Sequence, residues 1–174
     1  MEMPIPILVV DDERDMPDLI QMKFRRQIRK QEMRFLFAAN GQEALDVLWQ
    51  HPEISVVLAD INMPVMDGLE MLNKVHEEGN IGQTFQFVKV IIITAYNDMA
   101  NIRKAMNFGA FDFLTKPLDF DDLTVTINKT LYETGKLQEL DRQRREELKK
   151  RLEAEEALKC VDPAQLQTIL EKHI

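Results

Sequence analysis

Cysteine is nearly absent from this chain. Cys160 stands alone among 174 residues, so no disulfide framework exists and a reducing, cytosolic compartment is expected. No apolar run approaches the roughly 20 residues of a membrane span. The amino terminus lacks the pattern of a signal peptide, because Glu2 precedes the first apolar run and Asp11-Asp12 cut that run short. The three histidines, His51, His76 and His173, are scattered without metal-ligand spacing, so they read as structural or exposed. Positive charge is in deficit: 22 Lys and Arg face 30 Asp and Glu, a net charge of −8. Such a balance argues against nucleic acid as a direct partner. Disorder is not expected, since 45% of the residues are hydrophobic. The length suits one ordinary domain with an appendage.

What is present is an alternation. Short, mostly apolar runs at Ile5–Val10, Phe35–Ala39, Val56–Ala59, Val88–Ile93 and Phe111–Leu114 read as strands buried on both faces. Between them, Asp15–Lys30, Gln42–Gln50, Leu69–Glu78 and Met99–Phe108 carry helical spacing. Asp98 is placed to cap the last of these and Gly109 to stop it. Parallel strands need crossovers, and those are usually helices. The expected fold is therefore α/β, a doubly wound five-stranded parallel sheet.

After Pro117 the texture changes. Asp119–Thr134 reads as a fifth helix, with Leu123, Ile127 and Leu131 spaced by four. The chain runs on without proline to Asp162-Pro163, where a short new helix is expected. Residues Glu133 to Lys159 hold eight acidic and eight basic side chains. They predict an extended, solvated helix laced with i,i+4 pairs such as Glu147–Arg151, with Gly135 as its weak point. Leu137, Leu140, Leu148, Leu152 and Leu158 form only a broken heptad, interrupted by Arg144 and Arg151, so any coiled coil is weak. The expected division is 1–132 for the domain, 133–160 for the linker helix and 161–174 for a short helical end.

Ligands of open parallel sheets bind beyond the carboxyl ends of the strands. Strand one ends in Asp11-Asp12, strand three in Asp60, strand four in Thr94-Ala95 and strand five in Lys116-Pro117. Adjacent carboxylates repel, and a hard divalent cation that prefers oxygen ligands would compensate. Mg²⁺ leaves room for water and a phosphoryl group. A carboxylate beside it could attack phosphorus while a lysine stabilises the moving charge. The bland alternative, separate caps and strand-end residues, does not account for the whole set.

The segments "VVDDE", "LADINMPVMDG", "IIITAY" and "FLTKP", in this order at successive strand ends, resemble the response-regulator receiver domain of two-component signalling, over about residues 4–132. The resemblance implies a flavodoxin-like fold and Asp60 as phosphoacceptor and metal ligand. It implies Mg²⁺ on Asp12 directly, on Asp11 largely through water, and on the Asn62 main-chain carbonyl. Thr94 would hydrogen-bond the phosphoryl group and Lys116 would pair with it. Thr94 and Phe113 would act as switch residues, and Lys116–Pro117 would be cis. Tyr96 is either an exposed rim aromatic or a screen for the phosphoryl group. A histidine kinase or phosphotransfer protein is the implied partner.

Phosphorylation would change the face built from Met99–Phe108, Phe111–Leu114 and Asp119–Thr134. A homodimer through that face and the tail helix is expected. A receiver-like module that binds partners without phosphorylation is the alternative. No catalytic output motif follows the receiver-like segment, so the expected role is a signalling switch rather than an enzyme. Whether the chain is a stand-alone regulator or a piece of a longer protein stays open. The segment 77–87 is a few residues longer than the family usually has there and is a candidate contact surface.

Overall fold

The computed structural model describes residues 3–81, 84–95 and 98–159. Tyr96, Cys160, His173 and the expected helix after Asp162 lie outside these. In chain order the elements are β1 (Ile5–Val10), α1 (Met16–Lys23), α2 (Arg25–Arg29), β2 (Met33–Ala38), α3 (Gly41–Gln50) and β3 (Val56–Asp60). They continue with α4 (Gly68–Ile81), β4 (Lys89–Ala95), α5 (Met99–Asn107), β5 (Asp112–Lys116) and α6 (Phe120–Lys159). The five strands form one sheet in the order β2-β1-β3-β4-β5, every neighbouring pair parallel. This is the expected doubly wound fold with a long C-terminal helix.

Alternate strand residues face opposite sides of the sheet, and each side has its own core. Leu8, Val10, Val57, Ala59, Val90 and Ile92 point to a layer closed by Leu48 of α3, Leu72 and Val75 of α4, and Ala105 of α5. Ile7, Val9, Val56, Leu58, Ile91 and Ile93 point to a layer closed by Ile20 of α1 and by Leu123 and Ile127 of α6. The central strands are therefore apolar on both faces, which explains their unbroken hydrophobic runs.

Two helical expectations needed correction. The stretch Asp15–Lys30 is two helices, because Phe24 leaves the helical region at ψ 14° while its buried ring packs on Phe35, 5.0 Å between centroids. The expected long helix is present: α6 runs through Gly135 to Lys159. In the segment 77–87, α4 extends to Ile81, past the expected end at Glu78, and Phe85 is buried with its ring 5.0 Å from that of Trp49. The chain separates into two compact units, Met1–Gly135 and Lys136–Ile174.

Local capping is satisfied elsewhere. The Asn40 side chain accepts from the Glu43 N–H, while Glu43 accepts from the Ala39 N–H, so both ends of this capping pair are satisfied. Asp98 accepts from the Asn101 N–H at the start of α5. Gly109 ends that helix region at φ +87°, a conformation that favours glycine.

Candidate functional site

The order β2-β1-β3 reverses direction at β1, and the crevice beyond the carboxyl ends of β1 and β3 is where such sheets bind ligands. The last residue of β3 is Asp60, and Asp11 and Asp12 directly follow β1. Parallel register aligns these ends: Val10 pairs with Ala59 and Asp60 with Ile93. One carboxylate oxygen from each of Asp11, Asp12 and Asp60 lies within 4.8 Å of the others. Asp11 and Asp60 are buried and Asp12 is exposed. The cluster thus has a closed floor and one open carboxylate.

Lys116, at the end of β5, supplies the opposing charge. Its Nζ donates to Asp60 Oδ2 at 2.8 Å, to Asp11 Oδ2 at 3.2 Å and to Glu13 Oε1 at 2.6 Å. Burial alone would lower the lysine's proton affinity. Hydrogen bonds to Asp60 and Glu13, with the charges of Asp60 and Asp11, more than reverse this and hold it above the usual lysine range. Asp11 is held above the ordinary carboxylate range. Burial is the main cause, and the Asp60 charge adds to it. The hydrogen bond from the Glu13 N–H at 2.8 Å and the Lys116 charge oppose it only in part.

Backbone features fix Asp60. The Asn62 N–H lies 3.4 Å from Asp60 Oδ1, and the Gly68 N–H donates to the Ile61 carbonyl at 2.9 Å. A Cβ on Gly68 would come within 2.1 Å of the Asp60 carbonyl oxygen. Glycine is therefore required where the loop folds back on the end of β3. Val65, in the same loop, sits at φ +67°, a strained value for a β-branched residue.

Of the expected site residues, Asp11, Asp12, Asp60 and Lys116 are brought together. Asn62 is tied to the cluster through its N–H. Thr94 is fully buried near the end of β4, next to the Asp60 partner Ile93, and its hydroxyl has no hydrogen-bond partner among the described residues. Phe113 lies on the edge strand β5 and is 37% exposed, more than a core residue would be. The Lys116–Pro117 bond is cis. Two participants were not singled out from the sequence. Glu13 makes the shortest contact to Lys116, and its place directly after the Asp pair was the available signal. Gly68 closes "MPVMDG" and admits the loop to Asp60.

Comparison with known proteins agrees with this geometry. The family described as response regulator receiver domain matches residues 7–128, most of the chain. The chain belongs to the response regulator receiver domain family. It is 34% identical over 128 residues to sporulation initiation phosphotransferase F of Bacillus subtilis, covering 72% of this chain and 92% of that protein. It is 35% identical over 131 residues to the transcriptional regulatory protein ZraR of Klebsiella oxytoca, covering 75% of this chain but only 27% of that protein. The match thus spans about a quarter of that longer regulator. A crystal structure of a response regulator receiver domain protein from Clostridium thermocellum superposes with a TM-score of 0.64 at 28% identity, covering 76% of this chain and 98% of that one. Receiver domains are signalling switches of two-component systems and interact with histidine kinases or phosphotransfer proteins. No helix among the described residues is long and apolar enough to cross a membrane.

Proposed function

We propose that Asp60 is the phosphoacceptor of this receiver and that Asp11, Asp12, Asp60 and the Asn62 carbonyl hold Mg²⁺. The carrying observation is the Asp60 carboxylate, buried at the switch point between two further carboxylates and hydrogen-bonded to Lys116 at 2.8 Å. The donor set fits the ion, because it is all oxygen and carries an excess of negative charge. When bound, Mg²⁺ supplies charge neutralisation for the phosphoryl oxygens.

The chain's own residues do the rest. An Asp60 oxygen attacks the phosphorus of a phosphohistidine on a histidine kinase or phosphotransfer protein. The phosphorus–nitrogen bond breaks as the new phosphorus–oxygen bond forms, and the imidazole leaves with the electron pair and takes a proton. Lys116 already donates to Asp60 and is positioned to follow charge onto the phosphoryl oxygens. The Thr94 hydroxyl, without a partner among the described residues, gains an acceptor on the same group. Phe113, partly exposed on β5, then turns inward and alters the face formed by α5, β5 and the first part of α6.

On or directly beside these three elements, Met99, Met106, Phe108, Phe113 and Val125 are each exposed. We assign this face, with the tail helix, to a homodimer tightened by phosphorylation. The exposed Leu137, Leu140, Leu148 and Leu152 of α6 support self-association. The domain limits that go with this reading are a receiver at 1–132, a linker helix at 133–160 and a short end at 161–174. The reading places the protein in the cytoplasm without direct nucleic-acid or membrane contact at this site.

Incubation with acetyl phosphate and Mg²⁺, followed by intact-mass analysis, tests the chemistry. The wild type should gain one phosphoryl group and Asp60→Asn should gain none. Labelling of Asp60→Asn at the wild-type level would overturn the assignment. A wild type that stays unlabelled would favour the partner-binding alternative.

A further inference from the structure

Charge in this acidic chain is unevenly placed. Residues 23–34 hold six of its 22 basic side chains and one of its 30 acidic ones, a local charge of +5 that leaves −13 on the remainder. Some of the six are engaged. Lys23 lies 5.0 Å over the Phe120 ring, Arg34 pairs with Glu53 at 2.6 Å, and Lys30 sits 3.5 Å from Glu32. Arg25, Arg26 and Arg29 have no ion pair among the described residues, and all three are exposed.

The contrast with α6 is informative. There, long charged side chains are matched at i,i+4: Asp141 with Arg145, Glu147 with Arg151 and Lys149 with Glu153. In α2, Arg25 faces Arg29 and Arg26 faces Lys30 at the same spacing, with like charges. Such pairs destabilise a helix. The short helix is nonetheless held closed. The Gln31 N–H donates to the Ile28 carbonyl, and the Glu32 N–H donates to the Gln27 carbonyl at 2.9 Å. Gln31 adopts φ +56°, a costly value for a non-glycine residue. This turn keeps the four cations on one piece of backbone. Among the described residues, Arg25, Arg26, Arg29 and Lys30 together line a concavity of about 360 Å³.

We propose that this concavity binds a multiply phosphorylated anion. Guanidinium groups match phosphate oxygens in a two-point fork, and an anion of several charges would relieve the repulsion among four cations at once. The site differs from the Asp60 centre. It adjoins the amino end of β2 at Met33, whereas Asp11 follows the carboxyl end of β1, and the two strands are parallel with Ile5 opposite Met33. The two sites thus lie at opposite ends of the sheet. A whole-chain charge of −8 hides such a patch.

The source of the phosphate is either a soluble polyphosphorylated molecule or an anionic lipid headgroup, and the experiment separates them. The full chain is titrated with inorganic tripolyphosphate by calorimetry. It is also sedimented with vesicles of phosphatidylcholine alone or of phosphatidylcholine with a phosphatidylinositol bisphosphate. Wild type should bind one of these probes saturably and more weakly as salt rises. Arg25→Gln/Arg29→Gln should bind at least about tenfold more weakly, since two charge-assisted contacts are removed. Arg142→Gln/Arg145→Gln, on the charge-matched helix, should bind as wild type. Glutamine keeps a good helix propensity, and if the first variant unfolds, Arg26→Gln/Lys30→Gln tests the other pair. Binding of neither probe would overturn the proposal, as would equal loss in the α6 variant. Binding of duplex DNA alone would also overturn it.

Discussion

At the candidate site, the environments of Asp11 and Lys116 displace both groups from their solution behaviour. The proton affinity of folded Asp11 is raised above its unfolded value, mainly by burial. Folding therefore takes up a proton at this group between the unfolded value of 3.8 and the higher folded value. The ionised carboxylate costs stability above that window, and the cost disappears as pH falls through it. In metal-free protein, the stability of Asp11→Asn relative to wild type should be greatest near neutral pH and shrink as pH falls through the window. Urea unfolding at a series of pH values measures this, and a constant difference would contradict it. Lys116→Met leaves two buried carboxylates without their shared cation. It should cost on the order of 3 kcal/mol in metal-free protein, as breaking a buried ion pair does. Saturating Mg²⁺ should recover much of that loss, because ligand binding to the native state stabilises it.

At the scale of elements, two glycines make opposite predictions. Gly135 lies inside α6, exposed, with open space where a Cβ would sit. Gly135→Ala should stabilise the protein by about 0.5–1 kcal/mol, because glycine is the weaker helix former. Gly68→Ala would drive a methyl into the Asp60 carbonyl. It should shift the end of β3 and weaken both stability and Mg²⁺ binding. Thermal unfolding with and without Mg²⁺ distinguishes the two.

The strands were legible because burial on both faces writes itself as unbroken apolar runs such as Val56–Ala59 and Val88–Ile93. The site was legible because its polar groups stand where those runs stop. The break at Phe24 was not, since helical spacing continues across it and only the packing of Phe24 on Phe35 divides the helix. The length of α6 was legible, because no proline stands between Glu133 and Lys159 and its acidic and basic side chains are balanced. Glu13 was overlooked because its role depends on Lys116, 103 residues away in sequence.

On the scale of the whole molecule, the fold separates an acidic centre at the carboxyl ends of its strands from a basic concavity at the other end. Signal output is assigned to the face of α5, β5 and α6. Sedimentation of the full chain and of a version ending near Tyr132, each with and without beryllofluoride, tests the homodimer. Association of the full chain should tighten with the phosphoryl mimic, and the shortened version should associate less. A monomer in every condition would remove the dimer from the account. A dimer indifferent to the mimic would leave the tail a passive linker.

The central claim is that one carboxylate among three, Asp60, receives the phosphoryl group. Borohydride reduction of the acyl phosphate after incubation with acetyl phosphate and Mg²⁺, followed by peptide sequencing in the mass spectrometer, reads the modified residue directly. Reduction at Asp60, with Asp11 and Asp12 unmodified, is the predicted result. Modification at Asp11 or Asp12 in place of Asp60 would contradict it.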